Sequence, residues 1–346
     1  MDVHEKYLKF PGEVPVKWKI LGRLLDSRGT FVSGEELGDL LQISRPAIWK
    51  QIQILMREGI PIEAAHRKGY RVPESLDLLR PDQIQSSLVT SFLGRPILYT
   101  RETGSTNDDA KLLAGESSPD ELPEGTVLIA DTQSRGKGRL GRSWQSPPGG
   151  IFMSIILRPR VSPSRVPALS IVVGFAVASA IKDVLGLFAE VKWPNDVLIG
   201  GRKVAGVLCE MRAELDVTSV VVAGIGVNAN FDLEVLPPLL RDKTTSLSWE
   251  LGRPVDRNSL VASVLNTLEP LYMEFLGGGL SRLLPRVEKV LAYAGMPVRI
   301  QNTSPGSPEV SEGILEGIDP DGRLILGLPD GSRRYFSAGD LSLRPV

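Results

Sequence analysis

Between about residue 83 and residue 290 the chain alternates strand-like runs with helical segments. That alternation constrains the fold more than any other feature, because successive strands and helices bury their apolar faces only as a sheet covered by helices. Strands are expected at 127–130, 151–157, 191–193, 204–210 and 219–227, and the longest helix at 168–185. Val197-Leu198-Ile199 runs into Gly200-Gly201, a two-residue hairpin signature that sets Asp196 and Lys203 on the two arms of one hairpin. Residues 115–125, rich in Ser, Pro and acids, read as a surface loop.

Around Val72-Pro73-Glu74-Ser75 the pattern breaks, and what precedes it has a different periodicity. Trp18, Leu21, Leu24 and Leu25 recur at helical spacing up to Gly29; Ser33 and Glu36 form a capping box ahead of Leu37, Leu40 and Leu41. After a tight turn at Gln42-Ile43, Ser44 is placed to cap a third helix with the apolar stripe Ile48, Ile52, Leu55 and Met56. Its other face carries Arg45, Trp49, Lys50, Gln51, Gln53 and Arg57, and alternating residues flank a basic tip at His66-Arg67-Lys68-Gly69. This is the pattern of a winged helix-turn-helix, with Ser44, Arg45, Trp49, Lys50, Gln53, Arg67 and Lys68 as DNA-contact candidates. The alternative is a small helical domain with a solvated basic face. Beyond residue 295, short alternating runs separated by Asp319-Pro320-Asp321-Gly322 and Pro329-Asp330-Gly331 suggest a small β-barrel. The expected class is α+β, with domains at 1–74, 75–290 and 291–346.

Composition narrows the function by exclusion. A net charge of −1 gives no global attraction to nucleic acid or membrane, so any nucleic-acid contact rests on a local patch. No run of about 18 apolar residues is expected to span a membrane, and the N-terminus lacks a signal-peptide pattern, which points to a cytoplasmic protein. The single cysteine, Cys209, excludes an internal disulfide and an all-cysteine zinc site.

Two clusters carry the chemistry. Gly136-Lys137-Gly138-Arg139-Leu140-Gly141-Arg142-Ser143-Trp144 sets cations on a glycine-rich loop suited to phosphate, although bare Gly-x-Gly-x-x-Gly spacing also occurs in loops that bind nothing. In Lys192-Trp193-Pro194-Asn195-Asp196, which leads on to Lys203, Pro194 ends a strand and Asn195 and Asp196 project from a turn; a simple strand end with an Asp-capped turn is the other reading.

With Ser105-Thr106-Asn107 upstream, Gln133 before the glycine loop, Lys203-Val204-Ala205-Gly206, and Gly224-Ile225-Gly226-Val227-Asn228 downstream, these motifs resemble in order those of the biotin–protein ligase family. The flanking units resemble its bifunctional members, which also repress biotin operons. The resemblance implies a class II synthetase-like catalytic domain and an SH3-like C-terminal barrel. It implies biotin and ATP as substrates with Mg²⁺, a biotin carboxyl carrier protein as acceptor, operator DNA, a ligand-linked homodimer and no membrane.

By the same resemblance Lys203, with Lys192 near it, serves the reacting carboxylate and phosphate, while Arg139, Arg142 and Lys137 hold adenylate oxygens. Ser105, Thr106 and Gln133 suit an uncharged ureido ring, and Trp144 walls the apolar part. Asn107, Gly136, Gly138, Asn195, Gly206, Gly226 and Asn228 complete the binding set, and Asp196 is a candidate for Mg²⁺ or for the acceptor amine. Arg344 resembles a C-terminal arginine that reaches the nucleotide, or is a solvated tail residue. Lys137 departs from the family's arginine and gives a point charge in place of a fork. No adenine-stacking aromatic is evident; Trp249 is offset from the expected place. Two rivals remain: an acyltransferase of the same fold using Lys203 with Cys209 as nucleophile, and a transcription factor that only senses a ligand.

Overall fold

A short strand, β1 (Leu8–Phe10), precedes three helices, α1 (Val16–Asp26), α2 (Gly34–Leu41) and α3 (Arg45–Arg57), and a hairpin of β2 (Glu63–Ala65) and β3 (Gly69–Arg71). The computed structural model describes residues 6–10, 14–214, 217–302, 310–337 and 341–345. Among the described residues, 10–80 form one compact unit; those from 81 onward, with 6–9, form another.

The smaller unit closes over Ile20, Leu21, Leu24, Leu25, Leu37, Ile48, Ile52 and Leu55. Ser33 Oγ accepts the Glu36 amide at 3.0 Å, so half of the capping box forms, while the Glu36 carboxylate turns away to Arg23. Gln42 takes a left-handed φ of 55° in the tight turn. Three expectations shift: Leu40 and Met56 are exposed, and Ser44 stands at the N-cap of α3 without a side-chain capping bond. A helix of this size has only a narrow buried stripe, and the last turn of α3 and the rim of α2 fall outside it.

The larger unit is built on an eight-stranded sheet with the order β1-β4-β5-β6-β10-β9-β8-β7. Its members are β4 (Ile97–Thr103), β5 (Val127–Gln133), β6 (Ile151–Leu157), β7 (Glu190–Lys192), β8 (Asp196–Ile199), β9 (Arg202–Glu214) and β10 (Val217–Val227). β4 and β5 are parallel, and β5 through β10 and on to β7 pair antiparallel. Gly200 and Gly201, at φ 55° and 77°, make the expected β8–β9 turn.

The helices are α4 (Pro81–Ser86), α5 (Thr106–Glu116), α6 (Val166–Leu185) and α7 (Arg257–Gly278). With its lead-in turn, α6 is long and apolar enough by length and composition to cross a membrane, contrary to the expectation that no such run exists; here it packs against β9 and α7 as a core helix. The longest helix is α7, of 22 residues. The sequence pattern hid it because Pro270 stands inside it, a residue that normally ends a helix.

A second sheet has the order β14-β13-β12-β11-β15, from β11 (Pro297–Asn302), β12 (Val310–Ile318), β13 (Leu324–Gly327), β14 (Arg333–Phe336) and β15 (Leu341–Pro345). It is joined to the main sheet at the Lys-Trp-Pro-Asn-Asp turn: the buried Trp193 Nε1 donates to Gly322 O at 3.0 Å. β15 pairs with β11, setting Arg344 opposite Arg299.

Candidate functional site

Ser105 caps α5 by accepting the Asp108 amide, which puts Thr106 and Asn107 in the first turn against the sheet. Thr106 donates through its amide to Gln133 Oε1 at 2.9 Å, and Gln133 Nε2 donates to Ser146 Oγ at 2.9 Å. Asn107 is fully engaged: its amide nitrogen donates to Leu208 O and Glu210 Oε2, and Ser154 Oγ lies 2.6 Å from its Oδ1. It lies over Gly224, where any Cβ would come within 2.1 Å of Oδ1. Its role is to pin α5 to β9 and β10.

The glycine loop is a small closed hairpin. Trp144 N donates to Gly136 O, Gly138 N donates to Arg142 O, and Lys137 pairs with Ser143, leaving Arg139-Leu140-Gly141 at the tip. Leu140 and Gly141 both take left-handed φ values. With Arg142 N donating to Arg139 O, three loop amides, those of Gly138, Arg142 and Trp144, are spent inside the loop, and its charge comes from side chains. Lys137 pairs with Asp108 at 2.7 Å, and Arg139 Nη1 donates to Asn195 Oδ1 at 3.0 Å. Asn195 in turn donates to Val207 O, while its own carbonyl accepts Val207 N, tying the β7–β8 turn to β9.

The β8–β9 hairpin brings Lys203 Nζ to 2.6 Å from Asp196 Oδ1. Lys203 also stands over the Trp144 ring, 5.0 Å from its centroid. Asn228 holds that strand in place by donating to Thr245 O and Lys203 O. The Lys192 carbonyl accepts the Asn195 amide, while its ammonium makes no hydrogen bond among the described residues. Burial holds its ammonium below the usual lysine range; Asp196 opposes this and the neighbouring Lys203 and Arg344 add to it.

Trp144 lies on a bed of two glycines, Gly206 and Gly226, which face each other across β9 and β10. A Cβ at Gly226 would fall 2.6 Å from the indole Cε2 and Nε1, and one at Gly206 would fall 3.0 Å from Cζ3. The indole Nε1–H is buried with no partner among the described residues.

These elements enclose one cavity of about 680 Å³. Ser105, Thr106, Asn107, Gln133, Lys137, Gly138, Arg139, Arg142, Trp144, Lys192, Asn195, Asp196, Lys203, Gly206, Gly226, Asn228 and Arg344 all line it. Gly136 does not: a Cβ there would strike Trp144 O and Ser146 Oγ, so its place is under the loop. Trp249 also lies outside the lining, 60% exposed on a short helix at Leu247–Leu251. The sequence reading missed Met153, Leu198, Val207, Ile225 and the segment Leu236, Leu240, Asp242, Lys243 and Thr244. That segment carries no motif, and it reaches the site because Lys203 exchanges backbone bonds with Lys243 and Thr245. Tyr293 and Leu343 were missed for the same reason. Burial pushes the Cys209 thiol up to about 11, which keeps it protonated at neutral pH. Among the described residues no group of three His, Cys, Asp or Glu side chains is placed to hold a metal.

In the smaller unit, Arg45, Trp49 and Lys50 are exposed on α3, with Trp49 58% exposed. Gln53 is half-buried. At the hairpin, Arg67 takes φ 60° at the tip, and Lys68 and Arg71 stack over Phe31, a residue the sequence did not single out.

A glycine loop and a Lys-Trp-Pro-Asn-Asp turn on one cavity, in a chain with a helix-turn-helix, define a protein of the biotin/lipoate ligase class. The model of the biotin/lipoate A/B protein ligase family matches residues 99–228; an HTH domain model matches 18–71, and the biotin protein ligase C terminal domain model matches 295–344. The chain is 35% identical to the bifunctional ligase/repressor BirA of Bacillus subtilis, over 89% of this chain and 93% of that protein. It is 32% identical to the bifunctional ligase/repressor BirA of Escherichia coli, over 92% and 94% respectively. Among solved structures, the biotin protein ligase from Aquifex aeolicus in complex with biotin and ATP matches with a TM-score of 0.61 and 28% identity, covering 72% of this chain and 99% of that one. The chain belongs to the family of bifunctional biotin–protein ligases and repressors.

Proposed function

We propose that this chain activates biotin with ATP to biotinyl-AMP, transfers the biotin to a lysine of a biotin carboxyl carrier protein, and represses biotin genes through its helix-turn-helix. The observation that carries the reaction is the make-up of the cavity lining. Thr106 and Gln133, bonded to each other, offer neutral groups; the Trp144 indole, Met153 and Ile225 offer apolar wall; Lys203, against the indole, has Lys192 near it and Arg344 near that lysine, and Arg139 lines the same cavity. Biotin presents an uncharged ureido ring, an apolar tail and a carboxylate in that order.

Beside the cations, a biotin carboxylate oxygen attacks the α-phosphorus of ATP and pyrophosphate leaves. The two reactants are both anionic and charge grows on the phosphoryl oxygens, so fixed cations lower the barrier by stabilising that charge. Lys203, steered by Asp196 and the indole, sits where carboxylate and phosphate meet, and Arg139, oriented by Asn195, supports the same oxygens. Lys192 adds charge beside them. The Asp108 contact makes Lys137 a tether of the loop as well as a cation. In the second step the carrier amine attacks the acyl carbon and AMP leaves. Mg²⁺ is expected to enter with ATP; Asp196 or Asp242 of the cavity lining would hold it, and it would supply charge stabilisation to the phosphate oxygens.

The thioester route of an acyltransferase has no support from Cys209, whose thiol is held in its neutral form. For repression, Ser44, Arg45, Trp49, Lys50, Gln53, Arg67 and Lys68 are the contact set, and an adenylate that orders the loop favours a homodimer spanning two half-sites. The finer readings are those of the domains 1–74, 75–290 and 291–346, a class II synthetase-like centre, an SH3-like C-terminal barrel and a cytoplasmic location.

The test is incubation with biotin, ATP, Mg²⁺ and a biotin carrier domain, followed by mass measurement of the carrier. Added biotin on the carrier lysine is expected, and the absence of both transfer and adenylate formation would refute the ligase reading. Lys203→Ala should abolish adenylate formation with unchanged thermal unfolding; full activity in that variant would refute its role. Gel shifts with and without biotinyl-AMP test the corepressor role, and equal operator affinity would refute it.

A further inference from the structure

Residues 6–10 lie outside all three family matches. Yet residues 6–9 fold into the catalytic unit, not into the helix-turn-helix unit that follows them in the chain. β1 lies beside β4 at the edge of the main sheet. Tyr7 is 9% exposed, seated with Leu98, Leu113, Leu128, Ile156 and Val222. Its hydroxyl donates to Asp109 Oδ2 at 2.7 Å, Lys6 Nζ donates to the same oxygen at 3.1 Å, and the Thr103 hydroxyl donates to it as well. One carboxylate thus gathers three donors, two of them from the N-terminal segment. Burial, together with the Asp109 charge, pushes the Tyr7 pKa far up, so the hydroxyl is a permanent donor.

The two residues that receive this segment adjoin the elements that carry Thr106 and Gln133 of the cavity lining. Thr103 is the cross-strand partner of Gln133. Asp109 lies in the turn of α5 that starts at Ser105, and its amide donates to Ser105 O at 3.0 Å. A shift of either would move Thr106 or Gln133, which the ureido ring is to meet.

We propose that Lys6 and Tyr7 form a strap that positions the Thr103–Asp109 corner and is coupled to occupancy of the site, so that bound biotin tightens the strap and the docked strap tightens biotin. Such coupling is reciprocal by thermodynamic necessity.

This inference rests on the biotin reading above, and the test separates the two. Hydrogen exchange on the full chain, with and without biotin and ATP, should show slower exchange at residues 8–10 when ligand is bound. Tyr7→Phe keeps the buried ring and removes the donor; its biotin Kd, by calorimetry, should rise by about fivefold or more, the lower end of site-to-site coupling, with turnover at saturating biotin unchanged. A purely structural strap would lower Tm in Tyr7→Phe while leaving both the biotin Kd and the ligand-dependent protection as they were, and that result overturns the proposal. Wild-type protein that binds no biotin overturns the biotin reading and the strap with it.

Discussion

The glycines under Trp144 offer a graded test of how the site is built. Gly226 and Gly206 face each other across β10 and β9, and neither has a left-handed φ, so alanine is tolerated by the backbone at both. The added methyl meets different obstacles. At Gly226 it would lie 2.6 Å from the indole Nε1 and Cε2 and 2.9 Å from Cζ2, a clash along one whole edge of the ring. At Gly206 it would lie 3.0 Å from Cζ3 and 3.1 Å from the Lys203 Cε and Nζ, and a flexible lysine tip yields by a few tenths of an ångström. Overpacking of the first kind costs about 1–3 kcal/mol. If the displaced indole is the wall against which biotin packs, that cost appears in binding as about 5- to 150-fold in Kd. Gly206→Ala should cost about fivefold or less on the same scale.

Gly224→Ala supplies the contrast. Its methyl would meet Asn107 Oδ1 at 2.1 Å, and Asn107 is fixed by Leu208, Glu210 and Ser154, so the penalty falls on folding. Calorimetric titration of biotin beside thermal unfolding separates the three variants. Gly226→Ala should lose affinity with a nearly unchanged Tm, and Gly224→Ala should lower Tm by about 2–4 °C for each kcal/mol lost. Wild-type biotin affinity in Gly226→Ala would refute the placement of Trp144 as the wall of the pocket.

Three further outcomes are expected. Cys209→Ala should leave ligation unchanged, and iodoacetamide should not inactivate the native enzyme, because the thiol, pushed up to about 11, is protonated at neutral pH. Glu269 accepts the amides of Ser91, Phe92 and Leu93; burial opposes its ionisation, but these bonds outweigh burial and hold its carboxyl below the usual glutamate range. A depressed carboxylate stabilises the fold above its unfolded pKa and loses that contribution as pH falls through the folded value, so Tm should fall on acidification below about 4.5 and fall less in Glu269→Gln, as unfolding scans from pH 3 to 7 will show. Finally, Lys50→Ala should weaken operator binding across sequences and reduce the salt slope of log K by about 1, measured by fluorescence anisotropy at several salt concentrations, if Lys50 contacts phosphate.

The strands from β5 to β10 and the β8–β9 hairpin were legible because period-2 apolar runs and a Gly-Gly turn are local signals. α7 was hidden by Pro270. β4 was passed over in the sequence, and β1 and β15 are short runs without a repeat to mark them. In the site, the cations and the neutral donors could be named from motifs, since charge and hydrogen-bonding capacity belong to residue types.

The sequence by itself determined the class of chemistry and the order of the parts: a helix-turn-helix, a glycine loop with cations, a Lys-Trp-Pro-Asn-Asp turn and a lysine on the following hairpin. Only the tertiary structure decided how those residues divide the work. Asn107 and Asn228 spend their amides on backbone carbonyls far away in the chain, and Gly136 supports the loop from outside the cavity. Gly206 and Gly226 become the seat of an indole, and Arg344 reaches the site through the pairing of β15 with β11. The physical reason is sheet register. Which residues share a face across neighbouring strands depends on pairing between segments up to a hundred residues apart, and no local pattern specifies it.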